Sequence, residues 1–397
     1  MSDVQYEQND ERIERIERNE RNERNERNVH TLVKTARNIN TIPFFMKFYS
    51  VLKHLPNSSP GVRPKYTIQT DKLLSEHNMK LGHISDRPQI SLPKLNSLSD
   101  ELNKYMLKID SLCSRYSNSF RTADRTLSIG GTFYDTSKLD EGTWSCSAPT
   151  SSNYIEWWNM ILVAKIKMIT MLTGFVEKSA EKSFHYFPQS PYHLHGNGYI
   201  DKTSFIVIDH IIDPNTTSFR AIVCKTLIPN YYGIDGLEFR ELQIVEIEIL
   251  DKAYRIVENH LHHTRTIAHL HYTKWIDRQD IEPTIMLELV SAYGAVYTGL
   301  CLREHNSDNP QTIQNLIHCS AGVGRTGTFY VTVRMLRHVV VGSIKHKHSP
   351  LVIYINVPEY VLVCRRCRLE SVQTASQLQL IYKTLGTFCD MLKMSRL

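Results

Sequence analysis

The sequence predicts an α/β or α+β fold, on three observations. The segment "ELQIVEIEIL" (241–250) alternates polar and apolar residues, the period of a strand with one buried face. The segment "PTIMLELVSAYGAVYTGLCL" (283–302) is long, apolar and helical in rhythm, with a Pro near its start. Between and around them, strand-like and helix-like stretches interleave, which excludes a pure helix bundle or an all-β sandwich.

Taken in order, the elements follow from local pattern. Residues 11–28, "ERIERIERNERNERNERN", are a triplet repeat. A period of three drifts around a helix of 3.6 residues per turn, so it builds no apolar face. Its Glu and Arg fall four apart and support a solvated helix. They also cancel in charge, which leaves a nucleic-acid arm only a weak alternative; the repeat is a candidate for an unassigned interaction. "TIPFFMKFYSVLKHL" (41–55) reads as a short apolar helix, closing an extension over 1–56. Clusters of Pro, Ser and Asn over 57–98 read as a linker. The compact domain is expected over 99–391.

Within it, "SSNYIEWWNMILVAK" (151–165) has helical rhythm and "KMITMLTG" (167–174) reads as a strand. "SFIVIDHII", "SFRAIVCKTLI", "ELQIVEIEIL" and "RTIAHLHYTKW" follow as strands. After the helix from Pro283, "QTIQNLIH" (311–318) is a strand. "GRTGTFYVTVRMLRHVVV" (324–341) opens a helix and "ASQLQLIYKTLGTFCDML" (375–392) closes the domain as another.

Bulk properties narrow the class of protein. The chain has 397 residues, a formal charge of +6 and a sequence pI of about 8.7. That balance fits an anionic substrate but is too weak to argue for nucleic acid as a partner. The eight Cys are irregularly spaced in a long chain, which argues against a disulfide scaffold. No signal peptide is expected, and no apolar run is read as reaching the roughly 18–20 residues of a membrane span; "MILVAKIKMITMLTGFV" is interrupted by Lys165 and Lys167. A reducing, intracellular and cytoplasmic setting is expected.

The stretch richest in chemistry is "HCSAGVGRTG" (318–327). A strand ends at His318, Cys319 opens a loop of small residues, and a helix starts near Arg325. Such a loop directs successive backbone N–H groups inward at the positive end of a helix, an anion nest. Gly322 and Gly324 permit the unusual backbone, and Arg325 supplies a planar two-donor fork for phosphate oxygens. The same positive field favours a thiolate at Cys319. A Cys among small residues, taken alone, reads as a buried Cys beside a turn. The whole string C-x5-R-[ST] between strand and helix is far more specific, and no Lys-Ser or Lys-Thr follows to make it a nucleotide loop.

This string resembles the signature of the cysteine-based protein tyrosine phosphatases, tyrosine-specific branch. Other segments match in order: "SAPTSSNYIEWWNMI" is similar to the "TQGP" segment and its helix, "MITMLTGFVEKSAEKSFHYFPQ" to the strand and loop ending in "YWP", "LHYTKWIDRQD" to the mobile acid loop, and "QTASQLQLIY" to the glutamine loop and last helix. The resemblance implies a divergent member with a twisted mixed sheet flanked by helices, hydrolysing phosphotyrosine on proteins without metal or other cofactor. It implies Cys319 as nucleophile, Arg325 as phosphate ligand and Asp277 as general acid and then base. Thr326 would hydrogen-bond the Cys319 sulfur, and Gln373 and Gln377 would position the attacking water. The loop residues Ser320, Ala321, Gly322, Val323, Gly324 and Arg325, with Trp275 as loop hinge, would bind substrate.

Three departures from the family pattern are visible. Ile276 stands where the acid loop ordinarily has Pro, with no following glycine, and Asp280 is a rival acid. "DRT" at Asp124, Arg125 and Thr126 stands where the branch has "NRY", leaving Tyr134 as an alternative ring. "SAPT" replaces "TQGP". These keep two alternatives open: a low-turnover phosphoprotein-binding module, or a phosphatase of relaxed specificity toward phosphoserine or RNA 5′-phosphates. Cys364 and Cys367 have C-x2-C spacing without a second pair, so zinc is not expected. Arg365 and Arg368 fall beneath the active site by the resemblance. His269 and His271 are expected as packing residues on the strand before the acid loop, within a His-rich region that includes His260, His262 and His263.

Overall fold

A computed structural model describes residues 128–394, except 130, 131, 134, 196–198, 214, 215, 251, 252, 258–264, 306–311 and 346–356. The expectations for the repeat, the linker, Asp124 to Thr126, Tyr134, His260, His262 and His263 lie outside the described residues.

Two short strands, β1 (Ser128–Ile129) and β2 (Thr132–Phe133), pair antiparallel. The main sheet follows: β3 (Thr136–Lys138), β4 (Thr143–Cys146), helix α1 (Tyr154–Val163) and β5 (Ile166–Met171). A tight hairpin, β6 (Val176–Glu177) and β7 (Ala180–Glu181), leads to β8 (Tyr199–Ile200), β9 (Phe205–Asp213), β10 (Thr216–Ile228), β11 (Leu237–Leu250), β12 (Ala253–Ile256) and β13 (Arg265–Tyr272). Helix α2 (Pro283–His305), strand β14 (Gln314–His318) and helices α3 (Gly324–Lys345), α4 (Val357–Cys367) and α5 (Ala375–Met394) complete the order.

The sheet runs β3-β4-β14-β5-β13-β11-β10-β9, with β12 and β8 extending from β11. Its centre is parallel: β14 pairs parallel with both β4 and β5, and β13 parallel with β5. The flanking pairs are antiparallel. The twisted mixed sheet with helices is therefore the observed architecture.

The parallel strands explain the position of the site. Buried on both faces, they read as apolar runs, such as β5 with Ile166, Met168, Ile169 and Met171 all at 1% exposure or less. Their carboxyl ends share one edge, so the loops after β4, β5, β13 and β14 converge there, where ligands bind in open α/β sheets. Helix α1 covers this end of the sheet by burying both Trp157 and Trp158, and the Trp158 indole donates to the Tyr186 carbonyl at 2.9 Å.

Two sequence expectations change. Helix α4 has no counterpart among the expected elements; it opens with Pro358, acceptable in a first helical turn, and buries Val361, Leu362 and Cys364. The expectation that no run is long and apolar enough for a membrane span fails for Pro283–Glu304. That stretch is 67% buried within the protein, because α2 packs on α3, α5 and β5 as a core helix.

Candidate active site

The loop between β14 and α3 is held from outside by its carbonyl groups. The Cys319 carbonyl accepts from His318 Nδ1 at 3.0 Å, and the Ser320 carbonyl from the Ala148 amide at 2.8 Å. The Ala321 carbonyl accepts from Arg368 Nη2 at 2.9 Å and Ser147 Oγ at 3.1 Å. The Gly322 carbonyl accepts from Ser145 Oγ at 2.7 Å and Arg368 Nε at 3.0 Å. The Val323 carbonyl accepts from the amides of Gly327 and Val372. In a planar trans peptide the following N–H points opposite to the carbonyl. Five outward carbonyls therefore turn the amides of Ser320, Ala321, Gly322, Val323 and Gly324 to the inside of the loop. Amides gathered in this way at the N-terminus of α3 form a concavity of the kind that suits an anion.

Gly322 is required at its position. Its φ is +68°, and a Cβ there would stand 1.9 Å from the Cys146 carbonyl oxygen. The close approach is what lets β4 brace the loop. Arg368, itself ion-paired with Asp135 at 2.9 Å, is the outer brace. Cys319 is buried to 3% exposure at the loop's floor.

Arg325 is also buried, and its guanidinium is divided in function. Nη1 donates to Glu177 Oε1 and to the Trp275 carbonyl, both at 2.5 Å. Nε and Nη2, the side-by-side pair suited to two phosphate oxygens, make no hydrogen bond in the protein. Glu177 is the hub opposite. Its second oxygen accepts the Asp277 amide at 2.8 Å, and Thr173 Oγ1 donates to the first at 2.7 Å. Burial pushes the Glu177 carboxyl up, but these hydrogen bonds and the Arg325 charge outweigh it and hold the group ionised.

The acid loop is docked against this pair. The Trp275 indole is fully buried and donates to the Gln279 carbonyl at 2.9 Å. The indole is therefore a packing group, and it is the Trp275 carbonyl that touches Arg325. Asp277 is half-buried, with Oδ2 3.0 Å from Lys182 Nζ and Oδ1 3.7 Å from Arg325 Nη2. Burial raises its pKa, but the Lys182 hydrogen bond and the charges of Arg325, Lys182 and Arg278 prevail, so the net shift is downward. Asp280 is exposed and has no such contacts.

The remaining predicted residues fall as follows. Gln373 and Gln377 both close over Gly324, where a Cβ would meet Gln373 Oε1 at 2.6 Å and Gln377 Nε2 at 2.8 Å. Gln377 Oε1 accepts the Gln373 amide at 2.7 Å, and Arg365 fixes the loop by donating to the Ser371 and Val372 carbonyls at 2.7 Å each. Thr326 is buried, but its Oγ1 makes no hydrogen bond; the expected bond to the Cys319 sulfur is not formed here.

Sequence reasoning missed Glu177, Lys182 and Tyr186. Tyr186 links buried histidines. The carbonyl at His318 Nδ1 can only accept, so Nδ1 carries the proton and Nε2 accepts from Tyr186 Oη at 2.8 Å. Tyr186 Oη then accepts from His269 Nε2 at 2.9 Å. Burial pushes His318 down to about 4, so it is neutral at physiological pH and keeps this orientation. His269 and His271 are both buried, as expected, and His271 Nε2 donates to the Thr173 carbonyl at 2.8 Å. Among the described residues no three His, Cys, Asp or Glu side chains are grouped to hold a metal ion.

Comparison with known proteins places this geometry. The family model described as Protein-tyrosine phosphatase matches residues 132–212 and 229–386, leaving out the whole of β10 in the antiparallel part of the sheet. The human tyrosine-protein phosphatase non-receptor type 2 is 26% identical over 238 residues, 60% of this chain and 44% of that protein. A receptor-type tyrosine-protein phosphatase of Caenorhabditis elegans is 26% identical over 243 residues, 61% of this chain and 15% of that protein. The chain thus spans less than half the length of these relatives. A solved structure of PTPN18 in complex with HER2 phosphopeptides superposes with a TM-score of 0.50 at 16% identity, covering 72% of this chain and 92% of that one. With the family model matched over more than half its length, the chain belongs to the protein-tyrosine phosphatase family.

Proposed function

We propose that this chain hydrolyses phosphotyrosine on proteins through a cysteinyl-phosphate intermediate. The observation that carries the reading is the loop itself: five outward carbonyls, five inward amides and the two Arg325 donors that make no hydrogen bond in the protein, in the loop that Cys319 opens. That arrangement suits a phosphoryl dianion and stabilises charge as it spreads over the transferring oxygens. In the first step the Cys319 sulfur attacks phosphorus, the bond to the tyrosine oxygen breaks, and Asp277 gives that oxygen its proton. In the second, water held by Gln373 and Gln377 attacks the thiophosphate, Asp277 takes its proton, and phosphate leaves as the thiolate is restored. Thr326, whose Oγ1 makes no hydrogen bond within the protein, would donate to the leaving sulfur in that step. No cofactor enters either step, and the partner is a phosphorylated protein of the cell interior, in the cytoplasm and in signalling.

A second reading, a phosphoprotein-binding module of low turnover, is favoured by one observation: Asp277 is held as carboxylate by Lys182 and Arg325, whereas the first step needs it protonated. A bound phosphoryl dianion opposes this, because its charge engages Arg325 and favours the protonated acid. Phosphate release from a phosphotyrosine peptide by wild type and Cys319→Ser decides between them. Rapid release lost in the variant, with peptide binding retained, supports the phosphatase. Binding without release by either protein supports the module. Parallel assays on phosphoserine peptide and 5′-triphosphorylated RNA test relaxed specificity.

A further inference from the structure

The hydrogen bonds behind the Cys319 loop all run in one direction. The Cys319 carbonyl can only accept, so His318 Nδ1 donates to it at 3.0 Å and Nε2 accepts from Tyr186 Oη at 2.8 Å. Met171 Sδ, 3.6 Å from the same hydroxyl, is the weaker acceptor. Tyr186 has given its one proton, so His269 Nε2 donates to Oη at 2.9 Å. Burial, with the Arg240 charge next, holds His269 well below the usual imidazole range, so the ring is neutral and its other nitrogen is bare. His269 Nδ1 is thus a buried acceptor, and among the described residues nothing donates to it.

The donors that fit stand on the neighbouring strand. Arg240 of β11 pairs in register with His269 of β13, so the two side chains leave the same face of the sheet. Phe187 touches both: its ring centre is 4.9 Å from Arg240 Cζ and 4.3 Å from the His269 ring centre. Arg240 is 1% exposed, and its Nη2 donates to Glu238 at 2.7 Å. Its Nε and Nη1 are buried donors without a hydrogen bond among the described residues. His271, the next residue on that face, repeats the pattern. Its Nε2 donates to the Thr173 carbonyl at 2.8 Å, while Nδ1 has Glu238 Oε2 at 3.5 Å and no hydrogen bond. Groups buried this deeply rarely stay unpaired, and donors set opposite bare acceptors suit a water that takes one hydrogen bond and gives two.

We infer that one buried water joins Arg240 to Nδ1 of His269, and that Arg240 is thereby a positioning residue for the Cys319 loop, acting through His269, Tyr186 and His318. Every bond from Arg240 to Cys319 then donates in the same sense, beginning at a cation. Hydrogen bonds aligned in this way polarise one another. The last acceptor, the Cys319 carbonyl, shares its peptide with the Ser320 amide. Peptide resonance couples the two, so a carbonyl that accepts strongly makes its N–H a stronger donor. That amide is turned to the inside of the loop, so the chain adds positive potential where thiolate and phosphoryl charge are held. The inference rests on the phosphatase reading and extends it to a part of the sheet behind the loop. The titratable groups that act on His269 are Arg240 of β11, His271 of β13, His318 of β14 and Tyr186, and Glu238 faces Arg240 and His271.

The test is the pH midpoint of Cys319 alkylation by iodoacetamide in the full chain, followed on the Cys319 peptide by mass spectrometry, so it needs no turnover. Arg240→Met is made together with Glu238→Gln, which removes the unpaired carboxylate, and Glu238→Gln alone is the reference. The midpoint is expected to rise by about half a unit to one unit, the net worth of one hydrogen bond. His269→Leu and Tyr186→Phe should raise it alike. His269→Gln should keep it near wild type, since the Gln amide can donate to Tyr186 and its oxygen can accept from the water. Combining His269→Leu with the Arg240 change should add nothing further. An unmoved midpoint in the Arg240 variant, additive shifts, or equal midpoints for His269→Leu and His269→Gln overturns the inference, and the His269 pair decides it if the Arg240 variant does not fold. A wild-type crystal structure with no water between Arg240 and His269 Nδ1 overturns the bridge. Shifted midpoints in a chain that releases no phosphate from phosphotyrosine peptide support the chain of bonds together with the low-turnover module, so the two readings fail separately.

Discussion

Glu177 joins the loop that ends at Arg325 to the loop that carries Asp277: one carboxylate oxygen takes Arg325 Nη1 at 2.5 Å and the other takes the Asp277 amide at 2.8 Å. The pair is buried, with side-chain exposures of 1% for Arg325 and 7% for Glu177. Removing one partner of such a pair leaves an uncompensated buried charge, typically about 3–5 kcal/mol of stability. Glu177→Ala is therefore expected to lower the Tm and to reduce kcat by about 10²-fold through misplacement of Arg325 and Asp277. Glu177→Gln keeps an acceptor and should recover part of the loss in both thermal melts and steady-state rates. Wild-type kcat in Glu177→Ala would show that the Trp275 carbonyl alone orients Arg325.

Arg325→Lys should be nearly as damaging as Arg325→Ala. The wild-type guanidinium uses Nη1 for Glu177 and Trp275 while Nε and Nη2 remain for substrate. A Lys ammonium is a point donor and cannot meet both sets. The check is kcat/KM on phosphotyrosine peptide for both variants; retention of most activity by the Lys variant contradicts the divided fork.

Gly322→Ala should disable the site. The added Cβ meets the Cys146 carbonyl at 1.9 Å in a backbone state with φ +68°, so either β4 or the loop must move. The cost is expected at a few kcal/mol, about 1–3 of it from backbone strain alone. A lowered Tm together with lost peptide binding by the Cys319→Ser, Gly322→Ala double variant checks it.

How far this site was legible from sequence depends on the range of the contact. The strand, Cys319, the two glycines and Arg325 lie within one short string, so local pattern suffices. Gln373 and Gln377 share a helix start, and Trp275 and Asp277 share a turn. Glu177 acquires its role from a partner 148 residues away and Lys182 from one 95 residues away. Charged residues around a tight hairpin read locally as solvated turn residues, and nothing in the spacing separates them from Glu181. Helix α4 escaped for a different reason: it is short, has Pro358 in its first turn, and its last turn, Cys364 to Cys367, carries Arg365 and Arg366. The parallel order of β4, β14, β5 and β13 is likewise a tertiary fact that period alone does not encode.

Lys182→Met should move the basic limb of the kcat/KM profile to higher pH. Burial raises the Asp277 pKa, and the Lys182 hydrogen bond is the first of the influences that lower it. Removing that cation weakens the carboxylate form, so the acid stays protonated further into the alkaline range. For a group whose folded pKa is depressed, the stability it contributes is present above its unfolded pKa and lost as pH falls through the folded value. Lys182→Met should therefore also soften acid denaturation. The rate profile must be taken on a phenolic substrate with a poor leaving group, since an activated one needs no proton. Asp277→Asn should abolish the limb, and Asp280→Asn should leave it. The reverse result reassigns the acid to Asp280.

Ile276→Pro tests whether the acid loop is limited by its missing proline. Ile276 is 38% exposed, so the change removes no core packing. Its carbonyl accepts from Gln279, a bond that Pro retains, and its amide donates no hydrogen bond in the protein. The lost-donor penalty of Pro is thereby absent, and a ring that suits the docked backbone restricts the open loop more than the docked one. Restriction of this kind is worth about 0.4–1 kcal/mol, or roughly two- to fivefold in the population of docked loop. A rise of that size in kcat on a poor leaving group, with little change on an activated one, identifies docking as the limiting element. A fall on both substrates would mean that Trp275, now preceding Pro and biased to extended backbone, no longer presents its carbonyl to Arg325. Measuring the variant with Glu177→Gln separates the cases. If docking is limiting, Pro should offset part of the loss from the weakened Glu177 to Asp277 bond; if the carbonyl is misplaced, the two losses should compound.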